Sequence, residues 1–269
     1  MRYSLQVQYI GKNYAGSQIQ FENGIEIQTP TIQGELEKAL CKLIIGKTEN
    51  KNRQIKTIFS GRTDRGVNSE GQTVHFDTDK SIVASKFIYS LNEILPDDIS
   101  VTDLKQVDEK FHAQKSAKKR YYRYVFINRK CKNAFDGDLM RIKYDINMER
   151  MQKALNYLLG EHDFSSFKSS GTLNPSKVCF IEKADCQKIG DKVIIDIIGN
   201  RFLYNMVRTI VGTLLEIEGH NRPAEYMKQV LEACDRTKAG HTVSPYGLTL
   251  MKVIYLSLIH ISEPTRRVV

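Results

Sequence analysis

The feature that most constrains this chain is a hydrophobic pattern that switches between a period of two and a period of 3.6, in two successive rounds. Tyr3, Leu5, Val7 and Tyr9 alternate with polar residues and predict a half-buried strand over 3–9. Thr31 is a candidate N-cap for a stripe of Ile32, Leu36, Leu40 and Leu43, with Gly46 able to end that helix in the left-handed conformation. Val74 and Phe76 predict a strand, Val83 to Leu95 a helix stopped by Pro96, and Ile99 to Val107 a strand. From Arg120 the pattern restarts with a strand through Tyr122, Tyr124 and Phe126, then a helix over Asn147–Gly160. Strands at Val178–Lys188 and Lys192–Ile198, a helix over Phe202–Ile217, another opening at Pro223 and a strand at Leu248–Tyr255 complete the round. The expectation is an α+β protein of two similar sheet-and-helix halves, 1–110 and 111–255, with a central cleft. Strand order does not follow from the pattern.

Residues 256–269 are set apart. Leu256 to Arg266 reads as the in-frame translation of a transposase adapter used in sequencing libraries, so this tail is expected to be non-native and is excluded from functional reasoning. The start of the chain alternates polar and apolar residues where a signal peptide would need an unbroken apolar stretch. No apolar run reaches the length that spans a bilayer, and mean hydropathy is −0.38. A cytoplasmic protein without membrane contact is expected. The five cysteines form no C-x-x-C pair, which argues against a disulfide framework or a thiolate zinc site. Lys and Arg number 40 against 31 Asp and Glu, giving a formal charge of +9 and a surface field that attracts a polyanion.

Three stretches could carry chemistry. In Gly61-Arg62-Thr63-Asp64-Arg65-Gly66, one carboxylate stands between two guanidiniums at the entry to a strand. Arg62 and Arg65 would favour its ionised form and could hold phosphates, with glycines allowing a ligand to approach; a tight polar turn accounts for the same residues. In Lys115 to Tyr124, the cations Lys115, Lys118, Lys119, Arg120 and Arg123 accompany Tyr121, Tyr122 and Tyr124. Cations hold phosphates and an aromatic face receives an unstacked base, whereas strand alternation turns Tyr124 into the core. In Gly199 to Gly212, Arg208 lies in an apolar helix and needs an anionic partner such as Asp64, another carboxylate, or a path to solvent. No H-E-x-x-H, Walker-type phosphate loop or dinucleotide fingerprint occurs, so no metal and no cofactor is expected.

These stretches, with Tyr9-Ile10-Gly11, Thr31-Ile32-Gln33, Phe111-His112-Ala113, Tyr122-Arg123-Tyr124 and Gly160 to Phe167, resemble the tRNA pseudouridine synthase A family over Tyr3 to about Tyr255. The resemblance implies tRNA as partner, a homodimer, and conversion of uridines 38 to 40 of the anticodon arm to pseudouridine. It implies two pseudo-symmetric halves, Asp64 as catalytic aspartate, and Tyr122 and Arg208 as active-site partners; Arg62, Arg65, Lys118 and Arg120 are the RNA contacts expected from their charge. Ser17, Asn68 and Gln114 stand where the family usually has Trp, His and Arg. The isomerisation breaks N1–C1′ and joins C5 to C1′ with no net oxidation, so one carboxylate suffices. Asp64 could attack C1′, attack C6 or take the C2′ proton. The alternatives are a non-catalytic RNA-binding protein or chaperone, which needs no Asp64, and a nucleoside hydrolase, which would need a second carboxylate or a metal.

Overall fold

A computed structural model describes residues 1–22, 25–26, 29–46, 54–169 and 176–256. In chain order these form β1 (Arg2–Tyr9), β2 (Phe21–Glu22), β3 (Ile25–Glu26), α1 (Ile32–Ile44), β4 (Thr57–Phe59), β5 (Asn68–Asp77), α2 (Ala84–Asn92), β6 (Ile99–Val107), β7 (Ala117–Asn128) and β8 (Arg141–Ile142). There follow α3 (Met148–Asn156), β9 (Gly160–Asp163), β10 (Val178–Ile189), β11 (Lys192–Gly199), α4 (Met206–Gly219), α5 (Tyr226–Ala233) and β12 (Leu248–Tyr255). The tail from 257 onward lies outside the described residues.

One ten-stranded sheet runs in the order β6-β1-β5-β12-β7-β11-β10-β9, with β4 added to β5 and β8 to β7. Its central seam is short. β12 pairs in parallel with β5 only at Thr249 with Asn68 and Leu250 with Ser69, while its other edge runs antiparallel along β7. The seam is tightened by the Ser69 hydroxyl, which donates to the Leu250 carbonyl at 3.1 Å. At Gly71 the crossing is so close that a Cβ would sit 2.4 Å from the Met251 carbonyl oxygen. Two apolar clusters flank the seam. One packs Leu5, Val7, Val74 and Phe76 against Ile32, Leu36 and Leu40 of α1. The other packs Tyr124, Phe126, Ile195 and Ile197 against α3 and α4, and it also takes in Val67, which follows the Asp64 loop.

Local chemistry explains the element ends. The Thr31 hydroxyl accepts from Gly34 N–H at 3.1 Å, and Gly46 takes φ 80°, as its position after α1 predicts. Three expectations are corrected. The Phe202 helix begins only at Met206, because Asn205 adopts φ 61° and breaks the helical path. The Asn147 helix stops at Asn156, and Gly160 onward forms β9, paired with β10. The Val83 helix ends at Asn92 and runs on only as turns to Leu95, whose N–H bonds the Leu91 carbonyl at 3.0 Å, while the Asn92 side chain bonds both N–H and C=O of Val101.

Candidate active site

β4 and β5 pair from Thr57 with Phe76 to Phe59 with Val74, so residues 60–67 form the loop of a wide hairpin and carry Asp64 at its end. Buried hydrogen bonds fix this loop from beneath. The Ser60 hydroxyl donates to Gln72 Oε1 at 2.5 Å, and Gln72 Nε2 donates to the Gly61 carbonyl at 2.9 Å. Tyr9 and Thr63 share a hydroxyl–hydroxyl bond of 2.8 Å. The Thr63 N–H donates to the Ser17 hydroxyl at 2.8 Å, and Ser17 N–H returns a bond to the Thr63 carbonyl at 3.0 Å. Ser17 is fully buried, so the serine standing where the family has Trp fills its place by hydrogen bonding to the loop. Asn68 likewise has a structural job, accepting from Gly11 N–H at 2.9 Å and donating to the Tyr246 carbonyl at 3.1 Å.

Glycine placement closes the loop from above. Gly66 has φ 80°, and a Cβ there would meet Pro245 Cγ at 2.8 Å. The expected role of this glycine in ligand approach is therefore corrected: its open side is already filled by the Pro245–Gly247 turn.

α4 supplies the opposing cation. A Cβ on Gly212 would stand 1.8 Å from the His241 carbonyl oxygen, so only glycine lets residues 240–243 lie directly on the helix. That contact brings the Val243 carbonyl to Arg208 Nε at 2.8 Å. Arg208 Nη1 donates to Asn205 Oδ1 at 2.8 Å and faces Asp64 Oδ2 at 3.9 Å. Both side chains are mostly enclosed, with 15% of Arg208 and 27% of Asp64 exposed. Asp64 is thus the acidic partner of Arg208 that the apolar helix demanded. Burial lifts the Asp64 carboxyl above the usual range and Arg208 pulls it partly back; burial lowers Arg208 while Asp64 opposes that shift.

Arg62 and Arg65 were expected to stabilise this carboxylate. Both are instead exposed and form no side-chain hydrogen bond or ion pair with a described residue, which leaves Arg208 as the cation that faces Asp64. Tyr122, half-buried on β7, packs edge-on against Phe202 with ring centroids 5.1 Å apart. Burial, then Tyr9 and the Asp64 carboxylate, raise its phenol far above the usual range, so it is neutral at physiological pH. Tyr124 is fully buried and donates to the Ser244 carbonyl at 2.8 Å, as its core face predicts.

The basic stretch divides. Lys119 pairs with Glu182 at 2.7 Å and Arg123 with Asp196 at 2.8 Å. Lys118 is exposed and forms no ion pair with a described residue. Arg120, expected at a phosphate, spends its donors within the protein. It bonds the carbonyls of Asn200 at 2.8 Å, Ser60 at 3.1 Å, Gln114 at 3.2 Å and Ala117 at 3.3 Å. These join the entry of the Asp64 loop to the segment that leads into α4. Sequence reasoning missed Tyr9, Gln72, Ser17 and Val243 as supports of the loop; the one available signal was Gln72, a polar residue on the same face of β5 as the apolar Val74 and Phe76.

A carboxylate and an arginine brought together at a sheet seam, with a neutral tyrosine beside them, fit a class that the family comparison identifies: residues 154–256 match the model described as tRNA pseudouridine synthase. Residues 52–172 also match a model described as an uncharacterized protein conserved in bacteria. The tRNA pseudouridine synthase A of Brevibacillus brevis is 39% identical over 92% of this chain and 96% of its own length. The synthase A of Thermoanaerobacter sp. (strain X514) is 41% identical over 93% of this chain and 97% of its own. The chain belongs to the tRNA pseudouridine synthase A family and is an isomerase. Among solved structures, one described as a Cbf5-Nop10-Gar1 complex aligns with TM-score 0.36 and 10% identity, over 80% of this chain and 54% of that chain. Among the described residues, no helix is long and apolar enough to cross a membrane.

Proposed function

We propose that this protein converts uridines 38 to 40 of the tRNA anticodon stem-loop to pseudouridine, with Asp64 as the reacting carboxylate. The observation that carries this reading is the half-buried Asp64 facing Arg208 at 3.9 Å, on a loop tied to both apolar clusters. The reaction transfers C1′ from N1 to C5 of the same base and releases the C5 proton, so no redox partner is required. Asp64 attacks C1′ or C6, or takes the C2′ proton; each role needs the ionised form, which the Arg208 field favours. The target base leaves its stack at a cost of about a few kcal/mol and is received against Tyr122, whose neutral phenol stacks and donates a hydrogen bond. Arg62, Arg65 and Lys118, exposed and unpaired among the described residues, serve as phosphate contacts, whereas Arg120 holds the site together. The halves 1–110 and 111–255 flank the RNA, and the working unit is a cytoplasmic homodimer, as the family resemblance implies.

The test is incubation with unmodified tRNA transcripts, followed by base-resolved mapping of pseudouridine. Signal at uridines 38 to 40 that disappears when these become cytidines is the expected result. Modification elsewhere, with those positions untouched, contradicts the site assignment.

A further inference from the structure

Arg208 faces Asp64, but it is not held by Asp64. The separation of 3.9 Å is too long for a hydrogen bond, and the guanidinium is instead fixed by two neutral oxygens, the Val243 carbonyl on Nε and the Asn205 amide on Nη1. Asn205 precedes α4 in the N-cap position and makes no capping bond there. Its side chain is committed elsewhere: Oδ1 accepts from Arg208 at 2.8 Å and Nδ2 donates to Ser169 Oγ at 2.9 Å. Ser169 N–H in turn donates to the Tyr204 carbonyl at 3.1 Å, which clips the amide to the strand-to-helix turn. The backbone of Asn205 is left-handed, at φ 61° and ψ 6°, a conformation uncommon outside glycine. An ordinary cap residue, extended and bonded to the first helical N–H groups, would point its side chain away from Arg208.

We propose that Asn205 is a positioning residue for this reaction, holding Arg208 where its charge is felt by Asp64 while keeping it from closing into a tight ion pair. The inference rests on the reading of Asp64 and Arg208 as the reacting carboxylate and its cation. A guanidinium free to move would approach the carboxylate to hydrogen-bond distance and occupy the oxygen that must react. A neutral amide on the same Nη1 takes that donor and leaves Asp64 ionised and open. The neighbours that bear on Asp64 are Arg208 from α4 and the phenol of Tyr122 from β7, itself close to Tyr9 of β1.

Two substitutions separate side chain from backbone. Asn205→Gly retains the left-handed turn without cost in φ and removes the amide, so the fold is kept. Single-turnover pseudouridine formation is expected to fall roughly 10- to 100-fold, with tRNA affinity unchanged. Asn205→Asp keeps a bond to Ser169 and sets an anion on Arg208 closer than Asp64, so the acid limb of the rate profile is expected to move to higher pH. A structural role alone would lower thermal stability and leave this limb in place.

All proteins are compared at a temperature where circular dichroism shows each to be folded, with Asp64→Asn alongside. Wild-type turnover by Asn205→Gly, or an unmoved acid limb in Asn205→Asp, overturns the proposal while Asp64→Asn stays inactive. Wild-type turnover by Asp64→Asn overturns the reading beneath it.

Discussion

Arg120→Met keeps most of the apolar stem of the side chain and removes every guanidinium donor. Four carbonyls lose a partner: Asn200, Ser60, Gln114 and Ala117. The bonds to Asn200 and Gln114 are open to water, which replaces them at little cost. Those to Ser60 and Ala117 are partly buried, and each unsatisfied carbonyl costs about 1 to 2 kcal/mol. Relief from desolvating the cation, which already lowers the Arg120 pKa, offsets part of this. The net loss is about 2 kcal/mol, equivalent to a fall in Tm of roughly 4 to 8 °C for a chain of this size. Thermal unfolding followed by circular dichroism reads that change. The same variant is titrated with tRNA at several salt concentrations, where loss of one phosphate contact would flatten the log–log slope by about 0.9. The expected outcome is a lower Tm, slower turnover because the Ser60 carbonyl at the entry of the Asp64 loop loses its bond to Arg120, and an unchanged slope. An unchanged Tm with a flatter slope would refute the internal role and return Arg120 to the RNA surface.

Three further substitutions follow from the same packing. Gly212→Ala drives a Cβ into the His241 carbonyl, where it would sit 1.8 Å away, and is expected to cost about 3 kcal/mol and most activity; a denaturant midpoint equal to wild type would contradict the close crossing. His75 is 2% exposed, its Nδ1 accepts from Ala113 N–H at 3.1 Å, and burial pushes it down from 6.5 to about 4. The unfolded chain therefore binds a proton that the folded one refuses, and stability drops by up to about 3 kcal/mol as pH falls from 6.5 to about 4. Urea unfolding across that window should show the drop in wild type and a flatter profile in His75→Asn, with equal profiles counting against it. Lys118→Glu, at an exposed position, is expected to weaken every tRNA roughly 3- to 10-fold and to flatten the salt slope by about 0.9 or more; a selective loss for one tRNA would speak for base contact instead.

The long elements were readable because burial imposes a period on them. Leu5 and Val7 point into one cluster at spacing two, and Leu36 and Leu40 meet it at spacing four. β4, β8 and β9 have two to four residues each, too few to display a period. Phe202 to Asn205 reads as helix by apolarity, and only the backbone at Asn205 reveals the break. Sheet order depends on pairings such as Thr249 with Asn68, which no local pattern encodes. In the site, Asp64 and Arg208 stood out as charges whose surroundings ask for a partner. Their neighbours misled where chain proximity was read as spatial proximity: Arg62 and Arg65 flank Asp64 in sequence, yet the cation facing it comes from residue 208. The internal bonds of Arg120 were illegible for a related reason, since the Ser60 and Asn200 carbonyls that it binds lie far along the chain. Ser17 and Gln72 work through buried hydrogen bonds to Thr63 and Gly61 that become visible only once the loop is folded over them.

The central claim is that Asp64 reacts while other groups bind. Asp64→Asn keeps the shape of the side chain and removes its charge, and single-turnover kinetics with enzyme in excess measures the consequence directly. The account predicts no pseudouridine above background, with tRNA affinity within about tenfold of wild type, or roughly 1.4 kcal/mol, because binding is spread over many phosphate contacts. A protein that only binds RNA would bind more tightly on losing a negative charge and show no other change. Pseudouridine formed by Asp64→Asn at a rate near wild type would contradict the assignment of Asp64 as the reacting carboxylate.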